Sequence, residues 1–187
     1  MYSTLVMSKL AEPKPVRFFA SIIHHPFGGC EAFICTLRDK IGDIDFISQS
    51  MPFSSTEYYE DEMGSGLIRV VVSFGRLMPR DYLPRIKALT NGVENKFLRS
   101  GKRTVNIDPG YVAHEHVMLA TGKGYAHRAY LGGGVYAELT LIYRGKEFVP
   151  LEWTYPDYRT EEMRRLMLLL RERYIEDLKK GASGNDE

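Results

Sequence analysis

His114 and His116 flank Glu115. On a strand, this i, i+2 spacing would turn both imidazoles to one side, as a metal site requires. His127 or Asp108 would then complete the shell. The plainer reading makes AHEHVMLAT a short helix with solvated histidines, because two nearby histidines without a fixed third ligand are common. No metal ligand is assigned. His24 and His25 are adjacent, and neighbours on a strand point to opposite faces.

A second set combines carboxylates with nearby bases: Asp108, Glu138 and Asp157 with His127, Arg128 and Arg159. If the fold gathers them, the arginines would grip an anion such as phosphate, while the carboxylates orient it or hold a magnesium ion. Tyr158 or Trp153 would stack on a base. In a metal-assisted phosphoesterase, the enzymatic extension of this site, His127, Asp108 and Glu138 are the catalytic candidates, with His127 as general acid or base. The structural alternative has Asp108 building a turn before Pro109 and Gly110, Glu138 pairing with Arg128 across a hairpin, and Asp157 and Arg159 bracing the last helix. EYYEDEMG, from Glu57 to Gly64, could coordinate magnesium, but acids on a polar loop are usually only solvated. Tyr125, Tyr130, Tyr136, Trp153, Tyr155 and Tyr158 could stack bases or form the surface of a protein or RNA interaction module that takes no small molecule.

Several familiar sites are absent. TGKGY at Thr121 lacks the earlier glycine of a phosphate loop, and LGGGVY lies between strand-like runs, so its glycines make a turn. No G-x-S-x-G elbow occurs, and neither cysteine has a neighbour that would mark it as a nucleophile.

Composition sets the frame for these residues. The 187 residues carry 25 Lys and Arg against 24 Asp and Glu. A chain of that size fits one domain with a core that needs no disulfide or metal, and its balanced charge makes duplex DNA an unfavourable partner. Cys30 and Cys35 fit neither a disulfide framework nor a zinc site, so reduced thiols in a cytoplasmic protein are expected. Lys9, Glu12 and two prolines interrupt the first apolar stretch, so no signal peptide or membrane span is expected. Oligomeric state is not legible.

The elements that must position the candidates follow from periodicity. Residues 1–15 read as a loose arm, 16–180 as a single domain and 181–187 as a disordered tail. Val16 to Ile23 is a buried strand, and Cys30 to Ile41 is a helix with Phe33, Leu37 and Ile41 on one stripe, ending at Gly42. Ile44 opens a short strand, a loop with one helical turn follows, and Leu67 to Phe74 is the third strand. Between Pro79 and Arg99, Ile86, Leu89, Val93 and Phe97 keep a helical stripe, with Asp81 as cap and Pro84 in the first turn. Ala129 to Leu131, Val135 to Tyr143 and Phe148 to Leu151 form a meander. In its middle strand Ala137, Leu139 and Leu141 share one face. The last helix is capped by Thr160, buries Met163, Leu166, Leu170, Tyr174 and Leu178, and ends before Gly181. The order implies an α+β fold with a mainly antiparallel sheet and helices on one face. A ferredoxin-like core would be extended by the C-terminal meander and terminal helix.

EYYEDEMG, RTVNIDPGY, HRAYLGGGVYAELTL and WTYPDYR, in that order, resemble a family of small prokaryotic proteins known only as a domain of unknown function. The resemblance spans nearly the whole body and brings no established activity. It is carried by Asp108, Gly110, Tyr111, His127, Arg128, Glu138, Trp153, Pro156, Asp157, Tyr158 and Arg159. Relatives are sometimes labelled GTP-binding. A P-loop GTPase would need an Asp-x-x-Gly switch and an Asn-Lys-x-Asp base reader, whereas Asp108 is followed by Pro-Gly-Tyr. The expectation is a pocket for a nucleotide or other phosphorylated small molecule around His127, Arg128, Glu138, Asp157 and Arg159.

Overall fold

The computed structural model describes residues 9–26, 29–53 and 60–183. The β-branched and aromatic run at the start becomes β1 (Arg17–His24), buried along its whole length. It is followed by α1 (Glu31–Ile41), β2 (Ile44–Ile47), β3 (Met51–Pro52), the single turn α2 (Glu60–Met63) and β4 (Ile68–Phe74). α3 (Leu83–Lys96) leads into β5 (Val105–Val112), and β5 into β6 (His116–Thr121). The meander is β7 (Arg128–Gly132), β8 (Val135–Arg144) and β9 (Glu147–Pro150), and α4 (Glu161–Ser183) closes the described chain.

The sheet runs β2-β4-β1-β5-β6-β8-β7, with β3 also on β4 and β9 also on β8. All of its pairings are antiparallel. β1, α1, β2, β4, α3 and β5 make the expected ferredoxin-like core, and the later strands extend the sheet beyond β5. Successive strand residues face opposite sides, so β1 feeds two cores. Phe18, Ala20 and Ile22 pack with Phe33 and Leu37 of α1 and Ile86 and Val93 of α3. Phe19 packs with Met163, Met167 and Leu170 of α4. The expected single helical face therefore holds for α1 and α3, while α4 covers the other side.

Arg17 lies on the α4 side and is the largest fully buried side chain. It donates to Asp45 of β2 at 2.8 Å and pairs with Asp177 of α4, which ties β1 to both elements.

Local details confirm some expectations and correct others. Thr160 Oγ1 accepts the Met163 N–H at 3.3 Å, the expected cap of α4. Met167 replaces Leu166 on the fully buried face, and the helix runs to Ser183, so Gly181 lies inside it. Residues 1–8 of the expected arm and 184–187 of the expected tail lie outside the described residues. Pro84 is in the first turn of α3, but Tyr82 rather than Asp81 holds the cap position and no side chain caps it. Gly132, Gly133 and Gly134 all have positive φ, which is why the tight β7–β8 turn needs three glycines. A register shift between Val117 and Met118 leaves Thr140 without an opposite residue on β6. That bulge reverses the alternation, so Ala137 and Leu141 enter different cores instead of sharing a face.

A cleft where the sheet divides

The Asp108-Pro109-Gly110 segment is no turn: it lies inside β5. β5 pairs with β1 from Val105 to Val112 but with β6 only from Gly110 to Val112. Ile107 N–H and C=O both point away from β1, because they meet side chains of α3. By alternation the Pro109 nitrogen faces the same way, toward β6, and has no hydrogen to donate. The β5–β6 ladder therefore stops at Pro109, and the two strands diverge.

Gly110 makes the last contact close. A Cβ there would sit 2.5 Å from the Met118 carbonyl oxygen and 2.8 Å from Phe19 Cζ. Only glycine allows β6 to approach at this point before it departs.

The free edge of β5 is satisfied by α3. Glu94 accepts the Ile107 N–H at 2.5 Å, and Lys87 Nζ donates to the Ile107 carbonyl at 3.2 Å. Lys87 and Glu94 are only 7% and 8% exposed, so both charged groups replace strand hydrogen bonds that would otherwise be lost. Burial raises the Glu94 carboxyl above the usual range, against the opposing pull of Lys87.

Beside this edge lies a cleft of about 790 Å³. On the β5 bank a polar chain runs along its wall. Arg103 meets Glu62 at 2.6 Å and donates to Asn106 at 3.0 Å. Asn106 donates to Asp108 at 2.6 Å, and Lys87 reaches Asp108 at 3.2 Å. The Arg103 guanidinium holds Glu62 below the usual carboxylate range. Asn91 and Asn95 extend the α3 side, one helical turn apart from each other and from Lys87.

The opposite bank is Leu119 to Lys123 with Glu138 of β8. Glu138 accepts from Arg128 Nε at 2.7 Å, and His127 Nε2 lies 3.2 Å from the same oxygen. Arg128 also donates to the Lys123 carbonyl at 2.8 Å and to Tyr155 Oη at 2.7 Å, which fixes the turn carrying Lys123. At the α4 side Arg69 pairs with Asp157 and lies over the rings of Phe53 and Tyr158, at 4.7 and 5.5 Å.

The candidate residues are thus divided. Asp108, Glu138, Asp157 and Tyr158 line the cleft. His127 and Arg128 sit behind Glu138. Trp153 stands apart: its Nε1 donates to the Leu139 carbonyl at 2.7 Å, and its ring stacks on His127 at 5.0 Å. Arg159 donates to the Thr154 and Glu152 carbonyls at 2.7 and 2.6 Å, so its guanidinium braces the loop before α4.

The Glu138–Arg128 cross-strand pair is the one the structural alternative anticipates. Arg69, Lys87, Asn91, Glu94, Asn95, Arg103, Asn106 and Lys123 were not anticipated. The signal for part of this set is a polar stripe of Lys87, Asn91 and Asn95 beside the apolar face of α3.

His114 and His116 occupy neither a common strand nor a helix. Residues 113–115 turn between β5 and β6, with Ala113 N–H donating to the His116 carbonyl at 2.9 Å. Among the described residues no three His, Cys, Asp or Glu side chains are grouped to hold a metal. Of the acidic cluster, Glu57 to Tyr59 and the side chains of Glu60 and Asp61 lie outside the described residues. No described helix is long and apolar enough to cross a membrane.

Comparison with curated proteins and with solved structures finds no match. Residues 14–174, from the arm before β1 to the middle of α4, match the family described as a domain of unknown function, and the chain belongs to that family, DUF4416.

Proposed function

We propose that the cleft between β5 and β6 binds a small anionic molecule, of the nucleotide or phosphorylated-metabolite class, in a cytoplasmic protein. The observation that carries this reading is the break in the sheet, which opens a cavity of about 790 Å³ with charged and amide side chains on its wall, within the range of small-molecule sites. Arg69, Lys87, Arg103 and Lys123 line it against Glu94, Asp108, Glu138 and Asp157. Burial raises the Glu94 carboxyl above the usual range, which lessens the negative charge it brings to the lining. Lys123 and Arg103 stand on opposite banks, where they would hold an anion between them, and Asn91 and Asn95 offer both donors and acceptors to the rest of the ligand.

Magnesium belongs to this reading as a companion of the ligand's phosphates. Each carboxylate that a metal-assisted phosphoesterase would use already faces a cation of the chain: Asp108 meets Lys87, Asp157 meets Arg69, and Glu138 meets Arg128.

The test is thermal unfolding against nucleotides and phosphorylated metabolites, each with and without magnesium. A compound at about a hundred times its dissociation constant adds roughly 2.7 kcal/mol, a rise of about 5–11 °C for a chain this long. Lys123→Ala should shrink that rise without lowering the ligand-free midpoint, because Lys123 is exposed. A panel without any shift, or a shift indifferent to Lys123→Ala and to the Asn91→Ala, Asn95→Ala pair, would remove the reading.

One observation favours a second role. Tyr125, Tyr130, Leu131, Trp153 and Tyr155 are exposed around the edge strand β7, the composition of a partner surface. Loss of binding to a captured protein or RNA on Tyr130→Ser, with ligand shifts intact, would assign that role to the edge rather than the cleft.

A further inference from the structure

A residue lining the cleft holds a buried acceptor that the described residues leave without a donor. Glu138 is 1% exposed, and its Oε2 takes both Arg128 Nε and His127 Nε2. Its Oε1, on a residue that lines the cleft, is buried with no hydrogen-bond partner among the described residues. Buried polar atoms are nearly always satisfied, so an orphan beside a cavity calls for a donor from outside the fold, a ligand group or a water that a ligand would displace. Arg69, another lining residue, has a buried Nε that lacks an acceptor among the described residues.

We infer that the ligand of this cleft carries, besides its anion, a nitrogen hydrogen-bond donor that meets Glu138 Oε1. This rests on the anion-binding reading above and specifies the ligand further. An amino group fits better than a hydroxyl. It presents only hydrogens to the carboxylate, whereas a hydroxyl also brings lone pairs that need donors of their own. Arg128 holds the other carboxylate oxygen, so the orientation of Glu138 is set before the ligand arrives and its free oxygen selects for a donor. Two sources supply this chemistry: the amino edge of a nucleobase and the ammonium of an amino-phosphate.

Titration calorimetry with two matched pairs separates them. Adenosine monophosphate is compared with purine riboside monophosphate, which lacks the amino group, and phosphoethanolamine with ethyl phosphate. The amino member of at least one pair should bind about tenfold or more tightly, and the pair that discriminates names the source. In Glu138→Gln, Arg128 still demands the amide oxygen, so the amide NH2 takes the place of Oε1 and faces the ligand's donor. The preference should then vanish or reverse. Equal affinity within both pairs in the unmodified protein overturns the inference while leaving anion binding intact, and needs no variant to fold. A preference that survives Glu138→Gln also overturns it. Failure of all four phosphates to bind removes the anion-binding reading itself, and the inference with it.

Discussion

Replacing Gly110 by alanine should loosen the seam at which the sheet divides. The new Cβ would lie 2.5 Å from the Met118 carbonyl oxygen and 2.8 Å from both Leu119 Cδ2 and Phe19 Cζ. The carbonyl is main chain and cannot rotate away. Ordinary carbon–oxygen contacts begin near roughly 3.3 Å, so β6 must retreat by about 0.8 Å. β5 and β6 are joined over only three residue pairs, Gly110–Leu119, Tyr111–Met118 and Val112–Val117, so the retreat strains most of the ladder. Overpacking of this kind costs about 1–3 kcal/mol, and weakened hydrogen bonds add roughly 1 kcal/mol. An overall loss of about 3 kcal/mol lowers the midpoint by about 6–12 °C. Urea unfolding gives the free energy, and hydrogen exchange locates it, with faster exchange expected in β6 and little change in β4. Gly92 in α3 is the control: a Cβ there meets nothing within 4 Å, so Gly92→Ala should stabilise by about 0.5–1 kcal/mol. A Gly110→Ala protein within about 0.5 kcal/mol of the parent, with unchanged exchange in β6, would refute the account of why the strands separate there.

Two further outcomes follow from charges held inside the fold. Arg17→Met leaves Asp45 and Asp177 without their shared buried partner and should cost about 3 kcal/mol in urea unfolding, reduced from the fully buried case because both carboxylates reach solvent; a neutral effect would show that the pairs contribute no net stability. Glu94 has its folded pKa raised by burial, so the folded state binds protons more tightly than the unfolded chain, and the associated stability is present at low pH and lost as pH rises through the raised value. Urea midpoints measured from about pH 4 to neutrality should therefore shift in favour of Glu94→Gln as pH increases; a difference independent of pH, or one moving the other way, would contradict the burial of that carboxyl.

What the sequence determined by itself is whatever local rules govern. Thr160 followed by Glu161 and Glu162 caps α4, the run after Val16 makes a strand, and the glycines of LGGGVY make a turn, because each depends on residues a few positions apart. The αβ order also yields the ferredoxin-like core, since strands joined through α1 and α3 have few ways to close one sheet. Asp108, Pro109 and Gly110 defeat the same reasoning. In isolation they spell a turn, and only β1 along their whole length holds them extended. The cleft is decided further still from local sequence: Lys87 and Glu94 meet the edge of β5 across 20 and 13 residues, and Arg69 of β4 meets Asp157 of the segment before α4. Carboxylates and arginines near one another in the chain could be recognised as chemistry, but that Asp108 would meet Lys87 was set by where β6 leaves β5. That depends on a missing N–H and a missing Cβ, and neither takes effect until the strands are side by side.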